Sequence, residues 1–212
     1  MKSENFLSVA AVISVIMLIL SFGVAYYSVS SFKHNFLTGF ATTSNGTILI
    51  NITSAVSINF TTDSIDWGIG RVSEGTTQAV LDTGNSANPV INGTDWTSVT
   101  QGFILENIGN LNASISLKTG KTAATFIGGT GANYTFNVTN SKPGSCPTGN
   151  QVAFGNNVDV STTGTTVCSR LQFLDSADTL RIDIRLVVPY NAPISTTTTK
   201  SDQMQATASA AS

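Results

Sequence analysis

The chain has 212 residues, of which 41% are hydrophobic and only 10% are charged, with a formal net charge of −2 at pH 7. Thr, Ser, Asn and Gly fill polar positions that charged residues usually take, since charged residues make up about 25% of a typical globular chain. The 10 Lys and Arg are scattered singly. This pattern leaves no basic stripe for phosphates and excludes a nucleic-acid partner.

The chain opens with an apolar segment, which runs without a charged side chain from Asn5 to Phe32. A helix needs about 20 apolar residues to cross the hydrocarbon core of a bilayer. The run exceeds the apolar core of a signal peptide, about 7–15 residues, and Tyr26 and Tyr27 suit a membrane interface. We therefore expect a signal-anchor, a single transmembrane helix in residues 1–32, that holds the protein in the cell membrane.

An alternative fate of the same segment is cleavage. Gly23 and Ala25 are small residues of the kind that a signal peptidase accepts. Cleavage near Ala25 would release the remainder of the chain as a secreted protein. In either case residues 33–46 are expected to be a juxtamembrane linker, and residues 47–212 one extracytoplasmic domain.

Asn-x-Ser/Thr glycosylation acceptors occur only downstream of the apolar run. They are Asn45, Asn51, Asn59, Asn92, Asn112, Asn133 and Asn137. Such triplets also arise by chance in a chain rich in Asn, Thr and Ser, because the motif by itself is permissive. A glycan on any of them would require that Asn to face water outside the cytoplasm, and we treat all of them as candidate sites of a glycoprotein.

The 2 cysteines of the chain are Cys146 and Cys168. Both lie in the part assigned to the outside, where the compartment is oxidising, and we expect them to form a disulfide. Closing a loop of roughly 20 residues in this way would stabilise the fold by about 3 kcal/mol. Two free buried thiols are the alternative. A closed zinc shell is not available, because His34 is the single histidine.

Apolar and polar residues alternate with a period of two after the linker, which is typical of half-buried strands. Gly, Pro, Asn and Asp clusters separate these segments, and several spacings of about 8–12 residues favour a sandwich. We therefore predict an all-β fold, an antiparallel β-sandwich of immunoglobulin-like or jelly-roll type. The predicted strands are 47–53, 56–61, 78–82, 102–106, 113–118, 124–127, 134–138, 152–154, 171–174, 179–188 and 203–208.

Two of these segments carry more detailed predictions. Phe103 to Leu117 reads as a hairpin, with its turn at Asn107 to Asn110, whose residues tolerate turn backbone angles. In the strand from Thr179 to Val188, alternate residues are predicted to line the core, namely Leu180, Ile182, Ile184 and Leu186. The residues between them are predicted to form a solvated row, namely Arg181, Asp183 and Arg185.

One segment resembles an enzyme motif. Ala79-Val-Leu-Asp-Thr-Gly84 is similar to the active-site turn of aspartic proteases, in which two aspartates share a proton. That resemblance implies Asp82 as the catalytic carboxylate and, since the chain has one such motif, a dimer. A short motif in a chain rich in Thr and Gly also arises by accident, so the protease is a remote alternative and no catalytic residue is assigned.

No metal or cofactor site is predicted. Asp178, Asp183 and Asp202 do not have the spacing of a calcium loop, and Asp63 with Asp66 lacks the remaining oxygen ligands. A glycine-rich stretch at 128–131 lacks the Lys-Ser/Thr that holds phosphate.

The stretch from Phe60 to Lys118 resembles a known group of proteins. Its motifs are Ile65-Asp-Trp-Gly68, Gly75, Leu81, Phe103-Ile-Leu-Glu-Asn-Ile-Gly-Asn110 and Ile115-Ser-Leu117. It looks like small surface-exposed β-sandwich proteins of archaea, and it is loosely similar to the TasA/camelysin group of biofilm-filament proteins. The resemblance covers about a quarter of the chain and implies a structural role. Those filament subunits lose their leader, whereas this apolar run is long enough to be kept.

Two functions follow from these observations. The first is a non-catalytic, membrane-anchored cell-surface protein with a structural or adhesive role, whose partner is an envelope polymer or another surface protein. The second is a cleaved, secreted filament subunit, a homo-oligomer in which Gly46–Thr53 adds as a strand to the next subunit's sheet. Pairing of Thr47–Thr53 within its own domain is the alternative to that strand addition.

Overall fold

The computed structural model describes residues 12–23, 50–51, 53–147, 153–194 and 199–211. It separates into two compact units, Met1–Asn51 and Ile52–Ser212. In the first unit, residues 12–23 form a helix, α1. Among the described residues, no helix has both the length and the apolar character that a membrane crossing requires. The other parts of the predicted span, residues 1–11 and 24–32, and the predicted linker lie outside the described residues.

The second unit is mostly β, as predicted, and every pairing between its strands is antiparallel. Its first strands are β1 (Ile58–Thr62), β2 (Arg71–Val72), β3 (Gln78–Asp82), β4 (Val90–Ile91), β5 (Gly93–Thr94) and β6 (Phe103–Asn107). The later elements are β7 (Ala113–Thr119), α2 (Ala123–Phe126), β8 (Asn133–Asn140), β9 (Val158–Asp159), β10 (Thr165–Leu171), β11 (Thr179–Pro189) and β12 (Met204–Ala210).

These strands form a large sheet, a three-stranded sheet and a short ribbon. The large sheet has the order β1-β6-β11-β3-β4, with β8 along the other edge of β11 and β9 beside β8. The three-stranded sheet has the order β10-β7-β12, and β2 pairs with β5 in the ribbon. The longest strand, β11, is central, because its first half pairs with β6 and its second half with β3.

One hydrophobic cluster joins the two larger sheets. The large sheet contributes Leu105, Phe136 and Leu180 to it, and the three-stranded sheet contributes Ile115 and Leu117. Burial in β7 alternates strictly from Ala113 to Leu117, because successive side chains of a strand point to opposite faces. A core shared between two antiparallel sheets is consistent with a β-sandwich.

The predicted hairpin from Phe103 to Leu117 is wrong. Its two strands exist, as β6 and β7, but β6 belongs to the large sheet and β7 to the three-stranded sheet. The buried side chain of Asn107 explains the difference: Nδ2 donates to the carbonyls of Leu111 at 2.9 Å and Gln172 at 3.1 Å, and Oδ1 accepts from the N–H of Gly109 at 3.1 Å. These bonds hold the chain where it passes from one sheet to the other.

The predicted strand at 124–127 is also wrong, because Ala123–Phe126 is a single helical turn. Thr125 Oγ1 accepts a hydrogen bond from the N–H of Thr122 at 2.9 Å and thereby satisfies the start of the turn. Gly128 ends it with a φ of 75°, and its N–H donates to the carbonyl of Ala123. A residue in this left-handed region is typical of a helix C-terminus and is usually glycine.

Most of the other predicted strands are present in the structure, and a few are not. Strands at 56–61, 78–82, 102–106, 113–118, 134–138, 179–188 and 203–208 are confirmed within two residues at either end. In the predicted strand 171–174 only Leu171 is in a strand. Residue 152 of the predicted strand 152–154 lies outside the described residues, and of the other two Phe154 pairs, in an isolated bridge to Val138. Residues 47–49 and 52 of the first predicted strand lie outside the described residues, and Ile50 and Asn51 are in no strand.

Candidate functional sites

The outer face of β11 carries a partly buried ion pair. Asp183 is only 8% exposed, and Arg181 Nε donates to both of its carboxylate oxygens at 3.0 Å, while Nη2 donates to Oδ1 at 2.7 Å. The hydrogen bonds from Arg181 to Asp183 raise the pKa of the guanidinium, against the opposing effect of burial. The predicted solvated row of Arg181, Asp183 and Arg185 is therefore wrong at Asp183.

Thr83 and two close-packed glycines cover this ion pair. Thr83 Oγ1 donates to Asp183 Oδ1 and accepts from the N–H of Ile184, both at 2.9 Å. A side chain at Gly102 would lie 2.4 Å from the Ile182 carbonyl and 2.7 Å from Asp183 Oδ1. Gly84 likewise packs against Asp183. The sequence shows no sign of this cover, because the three covering residues come from two distant segments.

Asp82, the residue implied by the protease resemblance, ends β3 beside the same ion pair. Its Oδ1 accepts from the N–H of Gly84 at 2.9 Å, and its Oδ2 lies 3.7 Å from Arg185 Nε. A Cβ at Gly84 would be 3.3 Å from Asp82 Oδ1 and 3.4 Å from the Asp183 carboxyl carbon, so the two carboxylates flank Gly84. Since each has an arginine beside it, this arrangement balances charge within the sheet.

A second polar cluster forms where β8 ends and β11 begins. Lys142 Nζ donates to Asp178 Oδ1 at 2.8 Å and lies 3.4 Å from Asp175 Oδ1. The hydrogen bond with Asp178 raises the pKa of Lys142, against its desolvation. Burial raises the pKa of Asp178, but the bonds from Lys142 and Thr179 outweigh burial and hold that pKa below its usual value.

Glu106 joins this cluster, with carboxylate oxygens of Glu106, Asp175 and Asp178 all within 4.8 Å of one another. Oxygen ligands at such distances are the kind that a hard cation uses. The ammonium of Lys142 already supplies positive charge to two of the three carboxylates. The cluster is therefore an ion-pair network that connects the start of β11 to the segment after β8.

The predicted disulfide is present in the structure. It joins Cys146 to Cys168 with a Cα–Cα distance of 6.0 Å across a sequence separation of 22. Both cysteines are buried, at 2% and 0% exposure. The bond attaches the segment after β8, in the large sheet, to β10 in the three-stranded sheet, so that it links the two faces of the shared core.

The glycosylation candidates differ in exposure. Asn51, Asn59 and Asn92 are exposed, and Asn112, Asn133 and Asn137 are half-buried. Asn133 Nδ2 donates to Asp159 Oδ1 at 3.0 Å, and the Oδ1 of Asn137 is buried without a hydrogen-bond partner among the described residues. Asn45 lies outside the described residues. Of the candidates that the structure describes, only Asn51, Asn59 and Asn92 offer amides that water reaches freely.

An open groove of about 350 Å³ lies beside α2, lined in part by Lys121, Phe126 and Lys200. Neither lysine is free, because Lys121 Nζ donates to the Ser201 carbonyl and Lys200 Nζ to the Ile127 carbonyl. The buried carboxylate of Asp202 lies beside the Tyr134 phenol. Burial and, secondarily, the nearby charge of Asp202 raise the pKa of the Tyr134 phenol. Both lysines of the groove are thus already bonded to backbone carbonyls of the chain.

Comparison of the chain with protein-family models, with curated proteins and with solved structures gives no match. The arguments for function below therefore rest on the residues of this chain alone.

Proposed function

We propose that this chain is a non-catalytic cell-surface protein, held in the membrane by its N-terminal apolar segment, with a structural or adhesive role. Its β-domain, a sandwich of immunoglobulin-like or jelly-roll type, would lie outside the cell. The observation that carries this proposal is the buried disulfide between Cys146 and Cys168. Disulfides form and persist in oxidising compartments and are rare in the cytosol.

The charged groups of the domain support the same proposal. The Lys142–Asp178 pair joins the loop after β8 to the start of β11. The Arg181–Asp183 pair lies within β11, and Arg181 Nη2 also donates to the carbonyls of Thr83 and Thr100 in other segments. Such charges satisfy one another within the fold and so act as parts of a scaffold. Three exposed glycosylation acceptors add surface positions that a glycan could occupy without displacing core atoms, namely Asn51, Asn59 and Asn92.

The test uses intact cells that express the full chain. A protease that cannot cross the membrane should remove the β-domain, and the intact mass of the purified chain should begin at or near Met1 and rise by about two daltons on reduction. A double variant, Cys146→Ser with Cys168→Ser, is the control that shows no such rise. Protection of the β-domain from the protease in intact cells would overturn the proposal.

A secreted filament subunit is the second candidate. The donor strand in this proposal is Gly46–Thr53, and the observation that favours it concerns two residues of that segment. Ile50 and Asn51 belong to no strand, and the side chain of Ile50 is 81% exposed. An exposed alternating segment can add to an open sheet edge. A mature N-terminus near Tyr26, together with fibres in electron micrographs, would replace the first proposal with this one.

The aspartic protease remains a remote third proposal. It would use Asp82 from each of two chains, whereas the observed contacts of Asp82 are with Gly84 and Arg185 of its own chain. An Asp82→Asn variant decides the matter. Proteolysis that survives this change would not belong to Asp82, and proteolysis that disappears while the fold persists would support it.

A further inference from the structure

Strand β12 is one of the two edges of the three-stranded sheet. It pairs with β7 along its whole length in an unbroken register, from Met204 opposite Thr119 to Ala210 opposite Ala113. No other strand of the described chain pairs with it, since the order of this sheet is β10-β7-β12. A free edge presents a row of unpaired backbone groups to which another strand can add.

The backbone groups that face this free edge can be assigned. The Gln203 carbonyl accepts from the N–H of Gly120, and the N–H of Ala211 donates to the Asn112 carbonyl, so odd-numbered residues point toward β7. Backbone groups alternate along a strand. The N–H and C=O groups of Met204, Ala206, Ala208 and Ala210 therefore point away from β7.

Features that normally protect an edge are missing from β12. Its sequence, Met-Gln-Ala-Thr-Ala-Ser-Ala, has no charge and no proline, and its pairing with β7 shows no bulge. The opposite edge, β10, has two register shifts and carries Arg170. In the large sheet, the edge strand β1 has a register shift, and β4 and β9 are two residues long. Bulges, charges and short strands are the usual devices against edge-to-edge pairing.

We propose that β12 is a homodimer interface, in which the β12 strands of two copies pair antiparallel about a two-fold axis at Thr207. The three-stranded sheets of the two copies then form one continuous sheet. The partner of the cell-surface protein proposed above would then be a second copy of the same chain. The inference rests on that proposed function only for where in the cell the dimer forms.

Thr207 is the middle residue of β12, so a two-fold axis there gives the longest overlap of the two strands. Centring the pair on Thr207 places Ala206 opposite Ala208 and Met204 opposite Ala210, which are the residues whose backbone groups face outward. These become hydrogen-bonded pairs. Thr207 meets its own copy in a non-hydrogen-bonded pair, with a Cα–Cα distance of about 4.5 Å.

Side chains fit this pairing as well. The exposed residues Gln205, Thr207 and Ser209 lie on one face, and the register keeps them together, with Gln205 opposite Ser209 and Thr207 opposite Thr207. The half-buried Met204, Ala206 and Ala208, which pack against the core, meet on the other face. Because the strand is uncharged, the two-fold axis creates no like-charge pair across it, and a Thr–Thr pair is a favourable cross-strand neighbour.

Disulfide trapping tests the register directly, using the full chain in detergent with its native disulfide intact. Thr207→Cys should form a cross-linked dimer under mild oxidation, because the distance between its two copies suits a disulfide. Ser209→Cys is the matched control on the same face, since its two copies would lie roughly 14 Å apart. We expect Thr207→Cys to cross-link faster by on the order of tenfold, with peptide mapping to identify the bond.

A charge test complements the trapping experiment. Thr207→Lys places two ammonium groups against each other at the axis and should weaken dimerisation, measured by sedimentation equilibrium, about tenfold or more. Thr166→Lys is the matched control, an exposed position on β10 at the other edge of the same sheet.

The proposal is overturned if the Thr207→Cys and Ser209→Cys variants cross-link equally or not at all, or if the two lysine variants dimerise alike. A chain that forms fibres rather than closed dimers would likewise overturn it in favour of strand donation. Protease protection of the β-domain in intact cells would overturn the proposed function, but it would leave the cross-linking result unaffected.

Discussion

Thr83 and Asp183 lie 100 positions apart in the chain, yet Thr83 Oγ1 donates a hydrogen bond of 2.9 Å to Asp183 Oδ1. Thr83 also accepts from the N–H of Ile184 and is fully buried. One hydroxyl thus joins the end of β3 to the middle of β11. The Asp-Thr-Gly sequence, which resembles a catalytic turn, serves here as a joint between two strands of the large sheet.

Replacing Thr83 by valine should destabilise the domain by about 1–3 kcal/mol, because the change leaves the buried N–H of Ile184 without a partner and removes one hydrogen bond to Asp183. The free energy of unfolding, measured by denaturant titration of the full chain, checks this. Thr77→Val, at an exposed position, is the matched control and should change stability by less than about 0.5 kcal/mol. Equal effects of the two substitutions would contradict the role of Thr83.

Asn107→Asp should be more damaging than its small change in shape suggests. The variant keeps an oxygen for Gly109 but brings a negative charge against the carbonyls of Leu111 and Gln172, which now receive bonds from Nδ2. A loss of about 3 kcal/mol or more follows, since a buried charge without a partner is costly. Asn157→Asp, at an exposed position, controls for the added charge, and thermal unfolding of both variants supplies the comparison.

Acid should weaken the fold through Asp178. Its pKa in the folded chain is lowered, whereas in the unfolded chain it is about 3.9. The ionised carboxylate therefore contributes stability above about pH 4, and this contribution is lost as the pH falls through the folded-state pKa. Because the bond from Lys142 helps to lower that pKa, Lys142→Gln should shift the midpoint of acid unfolding to higher pH.

Lys118→Gln, which removes an exposed lysine from β7, is the control for the loss of one positive charge. Circular dichroism recorded between about pH 2 and pH 7 follows the transition for all three proteins. If Lys118→Gln moves the midpoint as far as Lys142→Gln does, net charge rather than the Asp178 bond governs acid stability.

Glycan occupancy should follow exposure. We expect modification at Asn51, Asn59 or Asn92, and none at Asn137, whose amide oxygen is buried. Mass spectrometry of glycopeptides from the native host measures each site separately. Asn59→Gln and Asn137→Gln form a matched pair on strands β1 and β8, of which only the first should reduce the glycan mass. Modification of Asn137 would contradict the exposure argument.

The strands themselves were largely predictable, and their partners were not. The bounds of Gln78–Asp82 match the prediction, and those of Thr179–Pro189 differ by one residue, since alternation is visible in any short window of sequence. The predicted hairpin from Phe103 to Leu117 is wrong because the residues of a turn do not show whether the strands on either side of it belong to the same sheet. The predicted strand at 124–127 is wrong because a short apolar run suits either a strand or a helix.

The sequence by itself determined the β class of the domain, the apolar character of the N-terminal segment and the cysteine pair available for a bond, because these depend on composition and on neighbours along the chain. Only the tertiary structure decided that Asp183 is buried, that Asn107 holds a crossing between sheets and that β12 is a free edge. Each of these depends on which distant segments come together. Strand pairing is decided when distant segments pack together around one shared core. The alternation of apolar and polar residues within a short segment carries no information about which distant segments those are.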